Sequence, residues 1–255
     1  SDCIKIIKQY LEGKFPSTFT KDSKIVFSTE AVFYFNSISD IIRVINKTGL
    51  TSDQVNIICA DDKENKDKLS KIGHSIGKIP LKNEKNKMFT FCTKTAYIGA
   101  DFYSDNASSY VFADPNIKSL ALDISLDLPQ IVGRQRNREN PFKNNIVIFY
   151  KTKRKDDKDL TEEEFKKTQE ERKDSTDTIL TGFNKLSIKE QKEYIKKLRD
   201  SIEVSKYSDD YVSISKKTGK PVYNSFIEIS QERGWEVSQK DYQDKISVTK
   251  SLESL

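Results

Sequence analysis

The chain has 255 residues, of which 35% are hydrophobic and 33% charged, and carries a formal net charge of +5. This length holds one large domain or two ordinary ones, and the mild positive charge permits nucleic-acid binding without requiring it. Cys3, Cys59 and Cys92 lie far apart, which argues against a disulfide framework or zinc site; no apolar run approaches the roughly 20 residues of a membrane span, and no signal-peptide pattern opens the chain.

A reducing, cytoplasmic setting is therefore the expectation, with no membrane partner. The start at Ser1, in what reads as a helix, points to a piece of something longer. Residues 3–12 place Ile4, Ile7 and Leu11 on one helical stripe ending at Gly13. The apolar run 24–29 reads as a buried strand, and the stretch from there to Lys47 as a helix closed by Gly49. Strands are expected at 55–60, 88–93, 108–113 and 145–150, with a short one at 119–124, a charged helix at 62–72 and a surface loop at 74–87. Short runs that are apolar on both faces and alternate with helices imply a parallel sheet covered on both sides, the doubly wound α/β arrangement.

Beyond Lys151 the composition changes. Residues 151–159 form a charged linker, and Thr161/Glu164 and Ser187/Glu190 are capping boxes that each open a helix. Residues 211–215 and 221–223 read as a hairpin around Gly219, followed by a helix at 224–233 that presents Phe226, Ile227 and Ile229, joined by Trp235, to a core. A last helix runs from Ser238. The expected division is a lead-in helix over 1–19, the α/β domain over 20–151, and a charged, mostly helical accessory region with a small hairpin over 152–255.

Two segments carry chemistry. In the first, Asp127 reads as a helix cap with Pro129 in the first turn, so that Gln130, Arg134 and Arg138 fall at i, i+4 and i+8 on one face. Arg134, Arg136 and Arg138 repel one another unless an anion compensates, and guanidinium groups meet phosphate oxygens in planar, bidentate fashion. A solvated basic helix end is the alternative. The second segment is the loop after strand 88–93, running from Thr93 and Lys94 to Gly99 and Asp101. Small hydroxylated residues, a glycine and an aspartate at the end of a parallel strand suit close approach to phosphates or sugar hydroxyls. The alternative is an ordinary turn in which Gly99 supplies a positive φ.

In order and spacing these segments resemble the C-terminal RecA-like motor domain of superfamily 2 helicases and translocases. That family carries a strand with a Ser/Thr loop, a Thr-x-x-x-x-x-Gly-x-Asp element and a Gln-x-x-Gly-Arg-x-x-Arg helix. Residues 24–29 resemble the first; Thr93, Gly99 and Asp101 the second; Gln130, Gly133 and Arg134 the third. The likeness covers residues 20–151. The family's last arginine falls on Asn137, with Arg136 and Arg138 on either side; Arg136 matches the Gly-Arg-x-Arg form of helicases resembling viral origin-binding proteins.

The resemblance implies a RecA-like sheet and an arginine finger, Arg134 with Arg136 and then Arg138 in reserve, facing ATP and Mg2+ held mainly by a partner N-terminal RecA-like domain. Gln130 would couple nucleotide state to domain closure. Gly99, Asp101, Gly133 and Arg138 would lie near the nucleotide, and Ser28, Thr29, Thr93 and Lys94 would contact a nucleic-acid strand, DNA being favoured over RNA. No Gly-x-x-x-x-Gly-Lys-Ser/Thr loop or acidic box occurs, so the chain alone is not expected to hydrolyse ATP or to hold a cofactor or metal. A non-catalytic nucleic-acid-binding module with this fold, or the motor part of a restriction enzyme, are the alternatives. His74 reads as a surface residue, Tyr97, Phe102 and Tyr103 as core rather than base-stacking groups, and the lysines at 82–87 and 151–155 as solvated or backbone-tracking.

Overall fold

A computed structural model describes residues 1–20, 22–97, 99–117, 120–154, 160–205 and 211–255, the side chains of 199–205 excepted. The chain divides into two compact units, 1–153 with 237–255, and 154–236.

The first unit is built on five parallel strands. Chain order gives α1 (Asp2–Leu11), β1 (Ser17–Phe19), β2 (Ile25–Phe27), β3 (Ala31–Tyr34), α2 (Ile38–Thr48), β4 (Val55–Ile58), α3 (Lys63–Ser70), β5 (Phe89–Cys92), β6 (Ser108–Ala113), α4 (Asp127–Val132) and β7 (Ile146–Tyr150). The sheet order is β4-β5-β3-β6-β7, every neighbouring pair parallel. Its central strands are apolar on both faces because both faces are covered. Phe33, Phe89, Phe91 and Tyr110 share one core with Ile6 and Ile7 of α1, Ile41, Val44 and Ile45 of α2, and Leu69 of α3. Val32, Tyr34, Cys92 and Val111 look the other way, onto Tyr97, Leu122, Leu128 and Ile131 and onto Tyr242 and Val248 from the end of the chain. Alternation along β3 thus feeds two cores.

Local signals place the elements. Ser37 caps α2 by accepting from Asp40 N at 3.2 Å, and Gly49 closes it at φ +68°. Asp62 caps α3 through Asn65 N at 2.8 Å. No helix or strand occurs over 74–87.

Several expectations are corrected. Residues 24–29 are not a strand of the main sheet: β2 pairs antiparallel with β1 in a separate two-stranded ribbon whose Phe19, Ile25 and Phe27 are exposed. The sheet's first strand is β3, in a stretch read as helix. Helix α1 buries Cys3, Ile6, Ile7 and Tyr10 and leaves Leu11 exposed, so residues 1–19 belong to the sheet unit rather than preceding it. Ser119 lies outside the described residues, and 120–124 hold no strand. Residues 152–255 are not one accessory region, because 237–255 return to the first unit: after a short π-helix at Val237–Asp241, Tyr242 donates to Leu122 O at 2.9 Å and α8 (Lys245–Glu253) buries Val248.

The second unit holds α5 (Glu162–Lys185), α6 (Ile188–Ser205), the hairpin β8 (Val212–Ile214) with β9 (Pro221–Tyr223), and α7 (Ser225–Glu236). Thr161 and Glu164 form a reciprocal capping box, as do Ser187 and Glu190. Trp235 stacks on Phe165 at 5.0 Å between centroids. Phe226 and Ile229 are exposed instead of facing a core. Among the described residues no helix is long and apolar enough to cross a membrane.

Candidate anion and strand-end site

The loop leaving β5 is fixed by its neighbours. Thr93 N donates to Ile58 O at 3.0 Å, and Lys94 N to the side chain of Asn36 at 2.8 Å; residues 94–96 then make a single 3-10 turn. Thr93 is buried, whereas Lys94 and Thr95 face solvent. Lys94 Nζ reaches Asp127 Oδ2 at 2.9 Å, and that oxygen also accepts from Asp123 N. Asp127 is therefore not the helix cap. Leu126 holds that position without a side-chain bond, and Asp127 braces the β5 loop.

Helix α4 ends at Val132, six residues long, so the arginines do not lie on one continuous helix face. The i, i+4 relation survives for one pair only. Arg134 Nε donates to Gln130 O at 2.8 Å and Nη2 to Gln130 Oε1 at 3.0 Å. From there the chain runs beside the other segment: Phe102 N donates to Arg134 O at 2.9 Å, Arg136 N donates to Phe102 O at 2.8 Å, and Phe102 and Gln135 form a parallel bridge. The Asp101 carboxylate takes Arg136 Nε at 2.9 Å and lies 3.5 Å from Arg134 Nη1. Gln130, Gly133, Arg134, Arg136, Gly99 and Asp101 are thus brought to one place. Arg138 is exposed beside it, and Asn137, at the position of the resembled family's last arginine, donates to Asp105 at 2.6 Å.

The two arginines differ. The Arg134 side chain is 12% exposed and that of Arg136 47%. Arg134 turns toward the interior: burial raises the Tyr34 phenol well above its ordinary value, and the positive charge of Arg134 opposes that rise. Burial likewise raises the Tyr97 phenol beneath the loop, and Tyr97 and Phe102 are core residues.

Gly99 and Gly133 have no positive φ, so Gly99 does not supply the left-handed turn considered above. A Cβ at Gly99 would meet nothing within 4 Å, and one at Gly133 only ordinary contacts at 3.7 and 3.8 Å. Neither glycine is demanded by the chain itself.

Ser28 and Thr29 are not with Thr93 and Lys94. They precede β3, at the amino end of the sheet, whereas Thr93 and Lys94 follow the carboxyl end of β5. Ser28 is fully buried, bonded to Tyr10, Ser108 and Glu30 O, so it cannot touch a strand from solvent, and Thr29 bonds Asn106. The polar residues that do leave β3 at the carboxyl end are Asn36, which sits beside Lys94 in a small hollow lined also by Tyr97, Leu122 and Asp127, and Ser37, the cap of α2. Reasoning from sequence missed them, although a serine three residues before Asp40, at the head of an Ile-rich helical run, was a visible cap signal. His74 Nδ1 donates to Ile72 O at 2.9 Å in the loop after α3, apart from this site.

Comparison with protein-family models, with curated proteins and with solved structures finds no match for this chain.

Proposed function

We propose that this chain is the second motor domain of a superfamily 2 nucleic-acid helicase or translocase, with a RecA-like sheet, and that it presents Arg136 to a nucleotide held mainly by a partner RecA-like domain. The observation that carries this reading is the joining of two sequence segments remote in the chain: Asp101 grips Arg136 while Phe102 shares backbone bonds with Arg134 and Arg136. The open space around Gly99 supports it, because a glycine with no internal purpose suits close approach by an outside phosphate or sugar.

The roles then divide. Arg136, half exposed, faces the anion; Arg134, folded back on Gln130, positions the segment; Asp101 keeps the Arg136 guanidinium oriented. ATP, when bound, supplies the terminal phosphoryl group on which negative charge builds, and a guanidinium held nearby stabilises that charge. The Mg2+ ligands and the phosphate cradle are assigned to the partner domain, because the sequence contains no Gly-x-x-x-x-Gly-Lys-Ser/Thr loop and no acidic box after an apolar strand. A nucleic-acid strand would pass the carboxyl ends of β3 and β5, where Asn36, Ser37, Lys94 and Thr95 offer donors without base readout.

The test is ATP hydrolysis by the full-length gene product with and without single-stranded nucleic acid. Stimulated hydrolysis is expected, with Arg136→Ala lowering kcat by about 10³-fold or more. Unchanged turnover in that variant removes the arginine role, and a full-length product that does not hydrolyse ATP overturns the motor reading.

A further inference from the structure

The hairpin of the second unit carries a cationic tip that the reading above does not use. Ser215, Lys216, Lys217, Thr218, Gly219 and Lys220 join β8 to β9, and no Asp or Glu occurs in the sequence between Asp210 and Glu228. The turn is fixed by its own bonds. Ser215 N donates to Lys220 O at 2.9 Å and Gly219 N to Ser215 O at 2.8 Å, with Gly219 at φ +67°. Two side-chain bonds, Thr218 N to Ser215 Oγ and Lys220 N to Thr218 Oγ1, both 3.3 Å, complete it. The serine and threonine hydroxyls are spent on the backbone of the turn, and the three lysines point their charge outward from an exposed tip.

Three lysines of α5 in the same unit do have acidic partners; what sets the tip apart from Lys185, Lys189 and Lys192, unpaired among the described residues, is that its three cations sit within five residues of one turn. Lys166 pairs with Glu162, Lys167 with Glu171 and Lys173 with Glu228. Lys216, Lys217 and Lys220 make no ion pair among the described residues. Holding three unneutralised cations on one tight turn costs electrostatic self-repulsion, which a polyanion relieves by releasing its own counterions.

From this we infer that the β8–β9 tip is a contact for the phosphodiester backbone of a nucleic acid. Complementary charge is the argument for the partner, and the composition of the tip narrows it. An anionic membrane is engaged best by basic residues alongside apolar ones that enter the acyl boundary, and the turn 215–220 has none. A protein interface draws its energy from buried aromatic or aliphatic anchors, also missing from the turn. A phosphate backbone asks only for spaced cations and for donors that need no sequence register. The inference goes beyond the arginine site and stands on separate residues, so either can fail alone.

The experiment uses the full chain and a fluorescein-labelled 20-nucleotide oligo-dT, with anisotropy followed over a range of KCl concentrations. Lys216→Gln/Lys217→Gln/Lys220→Gln is compared with wild type and with Lys166→Gln/Lys167→Gln, which removes two cations of the same unit that already have partners; circular dichroism and thermal unfolding confirm that each variant is folded. Each lost phosphate contact on a single strand lowers the slope of log K against log salt by about 0.7, so the triple variant is expected to lose about 2 from that slope and about 10–100-fold in affinity near 0.1 M salt. The double variant is expected to stay within about twofold of wild type, since its charges are internally neutralised. Equal loss in the two variants, an unchanged slope in the triple variant, or no oligonucleotide binding by the wild type would each overturn the inference. So would binding of the wild type to phosphatidylserine vesicles that is lost in the triple variant while oligonucleotide binding is kept.

Discussion

Arg134 and Arg136 stand two positions apart and are held by different means. Arg134 is almost enclosed, with its guanidinium on the Gln130 carbonyl and amide and within reach of Asp101. Arg136 is half in solvent on a single carboxylate contact. Arg134→Ala should therefore cost about 1–3 kcal/mol of folding stability in urea melts, because it removes a largely enclosed side chain together with its charge-assisted bonds. Arg136→Ala should stay within about 1 kcal/mol, as for exposed ion pairs generally. Equal losses would contradict this division of structural and anion-facing roles. The glycines make a second contrast. A Cβ on Gly77 would sit 1.7 Å from Asn56 Oδ1, on a buried side chain whose amide donates to Lys78 O, while one on Gly99 would meet nothing. Thermal unfolding should show Gly77→Ala destabilised by about 1–3 kcal/mol and Gly99→Ala unchanged within about 0.5 kcal/mol. If Gly99→Ala proves as costly, the open space at that position is not what its surroundings imply.

At the scale of elements, the sequence was legible where pattern and punctuation agreed. Strands β4, β5, β6 and β7 were each readable as short apolar runs, and α2 and α3 end or begin at Gly49 and Asp62 as their cap chemistry requires. The misreading lay between 24 and 37. Two apolar runs stand there in succession, Ile25–Phe27 and Ala31–Tyr34, and a short apolar run without alternation does not distinguish a buried strand from the start of a helix. Taking the earlier run as the sheet strand moved the expected strand-end loop to Ser28 and Thr29. The real one, at Asn36 and Ser37, is defined by the cap of α2. The arginine segment was readable in residue content but not in shape. Asp127 looked like a cap and instead became a buried partner of Lys94, and the chain left helix at Gly133 to pair with Phe102, a long-range contact that no local pattern encodes. The site's membership was thus more legible than its geometry, since spacing survives changes of conformation and helical facing does not.

At the scale of the molecule, the sheet unit is assembled from two stretches of chain, 1–153 and 237–255. The second supplies buried Val237, Tyr242 and Val248, and Lys153 N donates to Tyr242 O at 2.8 Å, so the chain leaves and re-enters this unit at adjacent points. Loss of one large buried side chain costs about 2–5 kcal/mol, and a whole domain has about 5–15 kcal/mol to lose. A chain ending at Lys153 should accordingly show no cooperative urea transition, whereas one in which a short Gly/Ser linker replaces 154–236 should unfold cooperatively. A cooperative transition in the shorter chain would show that the tail is dispensable. The sheet order has a further consequence, in time rather than space. Strand β3 lies between β5 and β6, so its first neighbour is complete only when Cys92 has been synthesised and its second when Ala113 has. At about 5–20 residues per second, a nascent chain carries Phe33 and Tyr34 for roughly 4–16 s before both sides of that strand can be paired. The residues that end as the centre of the sheet are therefore, during translation, among its longest-exposed apolar surfaces, and the ones a ribosome-associated chaperone has most opportunity to meet.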